Sequence, residues 1–232
     1  MPDLVAEAIV RAALLEDIGR GGDITTDAIV GRDRIARARI VARADGIVAG
    51  LPVAALAFTL LDSEVEIDAR IDEGERIAPD EIAADIVGSA RAILTGERTA
   101  LNLLCRLSGI ASATRELVDI VAETRARIID TRKTTPGLRA LEKYAVACGG
   151  GSNHRFGLDD AVLIKDNHLA VAGSIHAAVA AARARAGHMM KIEIEVDTIE
   201  QLREALAEPI DAVLLDNMTP DTLAQAVELA GG

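Results

Sequence analysis

One pattern occurs twice in the second half of the sequence, first as Leu163-Ile164-Lys165-Asp166-Asn167 and again as Leu214-Leu215-Asp216-Asn217. In both copies a short apolar run ends in charged and amide side chains, which indicates a buried strand followed by a polar loop. Strands of this kind, each followed by a helical segment, are predicted at 127–130, 161–165, 191–196 and 212–216. The alternation predicts parallel β/α units in a barrel-like sheet, with functional residues at the carboxyl ends of the strands.

The first hundred residues have a different periodicity. Arg37, Arg39 and Arg43 alternate with apolar residues, and 65–72 repeats the alternation, so both segments are predicted as half-buried strands. A further strand is predicted at 82–87, and helices at 3–16, 53–61 and 97–123, the first with Leu4, Ala8, Ala12 and Leu15 on one face. This half of the chain therefore predicts a small antiparallel sheet with attached helices, and the long helix after it is expected to bridge two domains.

The composition excludes several classes of protein. A net charge of −12 and a pI near 4.8 argue against nucleic acid and against an anionic membrane as partners, because both repel an acidic surface. The segment 1–17 is acidic rather than a signal sequence, and no apolar run is long enough to cross a bilayer. Cys105 and Cys148 form no short pairing motif, so a reducing, cytoplasmic setting is expected.

Scarce side chains gather in a few polar loops. The chain has only four lysines and four asparagines. Three loop segments, at 130–137, 149–155 and 163–168, hold half of these residues. We expect these segments to bring one basic cluster to a single pocket, made of Arg132, Lys133, His154, Arg155 and Lys165. Such a cluster suits a ligand with two or more negative charges, since arginine binds carboxylate or phosphate as a planar fork and lysine as a point charge.

Other interpretations of these loops stay open. Arg132 and Arg155 could be surface residues paired with the abundant acids. Thr135 and Pro136 are predicted to cap and open a helix. The triple glycine 149–151 lacks the Gly-Lys-Ser/Thr continuation of a phosphate-binding loop, so a helix C-cap and flexible connector is the favoured interpretation.

Acidic residues mark the later strands. Lys191, Glu193, Glu195 and Asp197 share one face of a strand whose other face is apolar. An inward polar face is costly unless it binds a ligand, although an edge strand with a solvated face is the alternative. Glu195, together with Asp216 at the end of the next strand, has the spacing to hold ribose hydroxyls or Mg2+.

At these segments the sequence resembles the quinolinate phosphoribosyltransferases, also called nicotinate-nucleotide pyrophosphorylases (carboxylating), of NAD synthesis. The matching stretches follow family order over essentially the whole chain. They are 16–19 with 22–25, 96–102, 130–134, 149–151, 153–155, 163–168, 193–197 and 215–217.

The resemblance implies an α/β fold with an N-terminal sandwich-like domain over 1–100 and a partial α/β barrel over 101–232. It implies decarboxylating transfer of phosphoribosyl from phosphoribosyl diphosphate to quinolinate, with Mg2+, in a homodimer or higher homo-oligomer with shared active sites. By position, quinolinate and its neighbouring phosphates would contact Arg132, Lys133, His154, Arg155 and Lys165, and Arg98 would reach the partner's site. Glu195 and Asp216 would contact the ribose and the metal–diphosphate, and the catalytic residues would be Lys133, Lys165, Glu195 and Asp216.

One departure from the family pattern concerns the end of the chain. Family members continue through further strand–helix units with glycine-rich phosphate loops, whereas this sequence stops at Gly232, so an incomplete, C-terminally truncated barrel is expected. Three alternatives stay open. They are the paralogous family associated with molybdate transport, a lyase that forms a Schiff base on Lys165 or Lys133, and a non-catalytic relative that keeps the anion pocket.

Overall fold

The computed structural model describes residues 3–231, which divide into two compact units, one ending at His154 and the other beginning at Arg155. Within this part of the chain no helix has both the length and the apolarity needed to cross a membrane. The predicted domains 1–100 and 101–232 include residues 1, 2 and 232, which lie outside the described residues. Their predicted boundary falls inside a long helix of the first unit and stays a prediction.

The first unit contains the predicted antiparallel sheet. Its helices are α1 (Asp3–Ile18), α2 (Ile24–Ile29), α3 (Leu51–Thr59), α4 (Ala90–Ile120) and α5 (Arg139–Cys148). Its strands are β1 (Ile35–Val41), β2 (Gly46–Ile47), β3 (Glu66–Ala69), β4 (Arg76–Ile77) and β5 (Ile82–Ser89). The sheet has the order β1-β5-β3 and is antiparallel throughout, while β2 pairs with β4. The expected sandwich-like arrangement of sheet and helices is confirmed.

The alternation in β1 has a direct physical cause. Alanine and isoleucine side chains on one face pack against the core, and the arginines on the other face are exposed. On that outer face Asp85 of β5 accepts hydrogen bonds from Arg39 (2.9 Å) and Arg70 (2.8 Å). The two guanidinium groups hold the pKa of Asp85 below its usual range.

Helix α4 begins seven residues before the predicted start at residue 97 and ends three residues before the predicted end at 123. Ser89 caps it by accepting a hydrogen bond from the backbone N–H of Ala92. Its first turns include Gly96, where a Cβ would lie 2.8 Å from the Ala57 carbonyl oxygen of α3, so only glycine lets the helices approach this closely. The helix lies wholly within the first unit.

The predicted apolar face of α1 is wrong. The residues that enter the core are Ala6, Val10 and Leu14, whereas Leu4 and Leu15 are 82% and 66% exposed. The buried stripe has a spacing of four residues and packs against α3 and α4.

The second unit is the expected parallel sheet with helices. Its strands β6 (Val162–Ile164), β7 (Ile192–Val196) and β8 (Ala212–Leu215) pair in that order, all parallel. The helices are α6 (Asp166–Ala172), α7 (Ile175–Arg185), α8 (Ile199–Leu206) and α9 (Pro220–Ala230). Ile192, Ile194 and Val196 are fully buried, so the apolar face predicted for this strand is confirmed.

The strand predicted at 127–130 is reduced to a single parallel bridge between Ile129 and Ser152 in the first unit. Ser152 donates its N–H to the carbonyl of Ile128 (2.8 Å), and Asp130 donates its N–H to the carbonyl of Ser152 (3.1 Å). The partner segment is the loop after α5. The bridge still places Asp130 beside that loop, which matters for the site.

Candidate active site

The loop at 131–138 in the first unit is held by charged side chains, of which Glu142 is buried. Arg106 of α4 donates to the carboxylate of Glu142 on α5 (Nε to Oε1 3.0 Å) and to the hydroxyl of Thr135. Glu142 also accepts the backbone N–H of Thr135 (3.1 Å), and Arg139 donates to the hydroxyl of Thr134 (3.0 Å). Burial raises the pKa of Glu142, but the hydrogen bonds from Arg106 and Thr135 outweigh this effect and leave the pKa below its ordinary value. These hydrogen bonds fix the position of the loop at Thr134 and Thr135.

These contacts also explain why the predicted helix start at Thr135 and Pro136 is wrong. Helix α5 begins at Arg139, after Leu138, and Leu138 donates its N–H to the carbonyl of Thr135 (3.0 Å). The hydroxyl of Thr135 accepts from Arg106 instead of capping backbone N–H groups. Thr135 is an anchor of the loop rather than a helix cap.

A second network holds the loop that contains His154. Asp130 and Lys143 form an ion pair at 2.5 Å, with side chains that are only 7% and 4% exposed. Asp130 also accepts the backbone N–H of His154 (2.8 Å) and the side-chain N–H of Asn153 (2.7 Å). The ammonium of Lys143 donates in addition to the carbonyl of His154 (2.9 Å). His154 is thus fixed through both of its backbone polar groups.

The glycines before this loop pack closely. Gly149 caps α5, which confirms the predicted C-cap, and a Cβ there would lie 2.4 Å from the carbonyl oxygen of Ala111 on α4. Gly150 has φ +90°, in the left-handed region that favours glycine. The loop is therefore packed against α4 rather than a loose connector.

Three predicted cations of the first unit have no anionic partner among residues 3–231. Lys133 is exposed, and only its backbone N–H forms a hydrogen bond, to the hydroxyl of Thr131 (3.0 Å). The buried Nε of Arg132 has no hydrogen-bond partner among the described residues. Arg98 on α4 is exposed, and its side chain forms no hydrogen bond or ion pair with another described residue. Lys133 and Arg132 thus sit on the anchored loop with capacity to bind an anion.

In the second unit the structure brings Lys165 and Glu195 together. Ile164 pairs with Ile194 in the parallel register, so the next residues of the two strands lie side by side on one face of the sheet. Lys165 donates to Glu195 at 2.5 Å, and the glutamate side chain is 12% exposed. The backbone N–H of Lys165 donates to Nδ1 of His168 (2.9 Å), which fixes the start of α6.

The same register places acidic residues one step further along this face. Val196 pairs with Leu215, so Asp197 and Asp216 lie side by side just past the ends of β7 and β8. Asn217, with φ 52°, donates to the carboxylates of Asp216 (3.1 Å) and Asp197 (3.4 Å). Asp216 and Glu195 therefore occupy the same face of the sheet.

Arg155 begins the second unit. Its Nη1 donates to the carbonyl of Ala161 (2.8 Å), and the following residue, Phe156, donates its N–H to Asp160 (2.7 Å). These bonds close the loop before β6. The predicted basic cluster thus has Arg132, Lys133 and His154 in the first unit and Arg155 and Lys165 in the second, and their convergence on one pocket stays a prediction.

The sequence did not identify three residues that hold these loops, which are Arg106, Glu142 and Lys143. One feature of the sequence could have identified Glu142 and Lys143. Glu142 and Lys143 follow directly after Leu141 and precede Ala145, both of which are buried, so charged residues interrupt the apolar side of α5. Charged residues in such a position are rarely buried without a specific partner.

A metal site can be tested against the carboxylates present. Within residues 3–231 there is no group of three or more His, Cys, Asp or Glu side chains that could hold a metal ion. Mg2+ needs no such group when a substrate supplies phosphate oxygens, because one or two protein carboxylates and water complete its shell. Glu195 and Asp216, on one face of the sheet, fit that limited role.

Comparisons with known proteins agree with the fold. The sequence models described as quinolinate phosphoribosyl transferase, N-terminal domain and C-terminal domain, match residues 23–108 and 110–231. A probable nicotinate-nucleotide pyrophosphorylase [carboxylating] of Bacillus subtilis is 48% identical over 229 residues, which are 99% of this chain and 78% of that protein. The nicotinate-nucleotide pyrophosphorylase [carboxylating] of Mycobacterium leprae is 46% identical over 217 residues, covering 91% of this chain and 75% of that protein.

Solved structures give the same result. The crystal structure of NadC from Streptococcus pyogenes superposes with a TM-score of 0.95 at 42% identity, covering 100% of this chain and 82% of that one. The nicotinate-nucleotide pyrophosphorylase from Francisella tularensis superposes with a TM-score of 0.93 at 37% identity, covering 99% and 81%. The α/β fold predicted from the sequence is confirmed by these matches.

Proposed function

The chain belongs to the quinolinate phosphoribosyltransferase family, and we propose that its strand-end residues carry out the family's reaction. The chain is accordingly a phosphoribosyltransferase that decarboxylates, in the de novo synthesis of NAD. Its small-molecule substrates are quinolinate and phosphoribosyl diphosphate. The products are nicotinate mononucleotide, CO2 and diphosphate.

One observation supports the assignment of the binding residues most strongly. Arg132 and Lys133 lie on a loop that is held in place by Arg106, Glu142 and Arg139. The protein has a net charge of −12 and therefore many carboxylates. Even so, the Lys133 ammonium and the Arg132 Nε have no partner among the described residues. Cations that are fixed in place without a protein partner are preorganised for an anionic ligand. Quinolinate carries two adjacent carboxylates, which match a guanidinium and an ammonium in charge.

The proposed roles differ between the two units. In the first unit, Arg132, Lys133 and His154 bind quinolinate. In the second unit, Arg155 and Lys165 bind carboxylate or phosphate oxygens, and Glu195 and Asp216 contact the ribose hydroxyls. The pair between Lys165 and Glu195 fixes both side chains, so that neither must reorient when substrate arrives.

The chemistry then has two steps. The pyridine nitrogen of quinolinate forms a bond to the ribosyl carbon while the bond from that carbon to diphosphate breaks. The bond between ring C2 and its carboxylate then breaks, CO2 leaves, and the electron pair on C2 takes up a proton. Arg132, Lys133 and Lys165 stabilise negative charge through both steps.

We also propose that Mg2+ takes part. Bound Mg2+ would neutralise charge on the diphosphate, and Glu195 and Asp216 would hold it through their carboxylate oxygens. The proposal is supported by the shared sheet face of these two residues. Both carboxylates would act together with phosphate oxygens and water.

A homodimer, or a higher homo-oligomer, in the cytoplasm completes the proposal. Arg98 is exposed and its side chain has no partner among the described residues, which leaves its guanidinium available for a site on a second subunit. Cys105 and Cys148 are free thiols, as in a reducing compartment.

A turnover assay tests the function directly. With quinolinate labelled at the 2-carboxylate, phosphoribosyl diphosphate and Mg2+, we expect labelled CO2, diphosphate and nicotinate mononucleotide in equal amounts. Removal of Mg2+ by EDTA should stop all three. CO2 released without phosphoribosyl diphosphate, or a folded protein that releases none, would contradict the proposal. Irreversible trapping by borohydride with a carbonyl substrate would instead support the Schiff-base alternative.

A further inference from the structure

Glu142 and Lys143, two adjacent residues of α5, are the charged residues that are buried within residues 3–231. The other buried polar residues in that part of the chain are threonines. Charged side chains are rarely buried without a partner that compensates for lost hydration. Both residues have such partners, and their hydrogen bonds hold two different loops of the candidate site.

Each of the two residues holds a different loop. Glu142, with Arg106, holds the loop that carries Arg132 and Lys133. Lys143, with Asp130, holds the loop that carries His154. The next residue, Tyr144, donates its hydroxyl to Glu73 (2.7 Å), which also accepts the backbone N–H groups that begin α3. Helix α5 is therefore fixed at three consecutive positions.

Stability alone does not account for a buried lysine. Replacing a buried ion pair by well-packed apolar residues of similar volume is often neutral or stabilising, because the charges lose their hydration. The pair between Lys143 and Asp130 instead fixes the positions of the groups around it. It presents one carboxylate that accepts two N–H groups, from Asn153 and His154, and one ammonium that donates to the His154 carbonyl.

We propose that Lys143 is a positioning residue for quinolinate binding. It contacts no substrate. It holds the carboxylate of Asp130 and the carbonyl of His154, so that the His154 side chain is set for the ligand before the ligand arrives. The inference rests on the proposed function, since it assigns His154 to quinolinate.

Calorimetric titration of the full chain with quinolinate tests this role. In Lys143→Met, which keeps the length of the side chain and removes its charge, the dissociation constant should rise roughly tenfold or more, because a misplaced binding group weakens its contact. The stoichiometry should stay at the wild-type value. A merely structural role predicts the reverse: fewer binding-competent molecules with an unchanged dissociation constant.

A double variant distinguishes the effect of a displaced His154 loop on binding from the loss of stability caused by an unpaired buried charge. Lys143→Met with Asp130→Asn removes both charges, so the melting temperature should recover toward the wild-type value. The dissociation constant should not recover, because Asn153 and His154 donate to different oxygens of Asp130 and an amide offers only one oxygen. Wild-type affinity in the double variant would overturn the inference.

Asn153→Ala covers the case in which Lys143→Met does not fold. Asn153 is exposed, and its side chain donates to Asp130 and to the carbonyl of Lys143 (2.9 Å), so its loss leaves the buried ion pair between Asp130 and Lys143 in place. We expect weaker quinolinate binding, about fivefold, with little change in melting temperature. Lys191→Met is the matched control, since Lys191 pairs with Asp211 (2.8 Å) at the amino end of β7; it should bind as the wild type does.

The outcomes are distinguishable. A wild-type protein that does not bind quinolinate would overturn the proposed function and the inference with it. Normal wild-type binding, with unchanged dissociation constants in Asn153→Ala and in every Lys143 variant that folds, would overturn the inference alone.

Discussion

Arg132→Ala should weaken quinolinate binding by about 10–150-fold, the loss expected when a charge-assisted hydrogen bond worth roughly 1.5–3 kcal/mol disappears. The guanidinium lies on the loop anchored by Arg106 and Glu142, and its buried Nε has no partner within residues 3–231. Its loss therefore removes a binding group without breaking a described side-chain bond. The protein should fold normally, with an unchanged circular dichroism spectrum.

The control for this variant is an arginine with the same charge and no role in the site. Arg76 is exposed and pairs with Asp119 at 2.6 Å. Arg76→Ala changes the net charge by the same amount as Arg132→Ala does. It therefore controls for the effect of net charge on the binding of an anion. If both variants bind quinolinate with the wild-type dissociation constant, Arg132 does not contact the ligand.

Glu195→Gln should lower kcat by about 100–1000-fold, the range seen when a preorganised electrostatic group of an active site is removed. The substitution keeps the shape of the side chain but weakens the bond to Lys165, which is 2.5 Å long in the native pair. It also removes one of the two carboxylates proposed to hold Mg2+, so the Mg2+ concentration that gives half-maximal rate should rise. Quinolinate affinity should change much less than kcat.

Steady-state kinetics with varied Mg2+ measure this effect. Glu208→Gln is the matched control, because Glu208 is a glutamate of the same unit that pairs with the exposed His176 (2.9 Å). It should keep the wild-type kcat. A Glu195→Gln enzyme with wild-type kcat and wild-type Mg2+ dependence would remove Glu195 from the catalytic residues.

Much of the fold could be predicted because it depends on strict local patterns. Alternation in β1 and β7 identified the strands and the faces that they bury, since a strand directs successive side chains to opposite sides. Lys165 and Glu195 lie at neighbouring positions in the parallel register of β6 and β7, which brings them together. The single bridge at Ile129 could not be predicted, because its partner Ser152 lies far from it in sequence and no local pattern relates the two.

The anchors of the loops could not be predicted for a different reason. Arg106 and Glu142 are 36 residues apart in sequence, so no local spacing relates them. Thr135 and Pro136 have the residue types of a helix start, yet the hydroxyl of Thr135 bonds to Arg106 on another helix. On α1, several apolar positions could form the buried stripe, and only packing against α3 and α4 selects Ala6, Val10 and Leu14.

The identity of the ligand gives the most direct test of the whole proposal. Quinolinate and nicotinate share the pyridine ring and differ by one carboxylate, so parallel calorimetric titrations of the wild-type chain isolate the contribution of the second negative charge. We predict that nicotinate binds at least about tenfold more weakly, since it forgoes at least one charge-assisted hydrogen bond. Equal dissociation constants for the two acids would contradict the claim that these scarce cations form a dicarboxylate site.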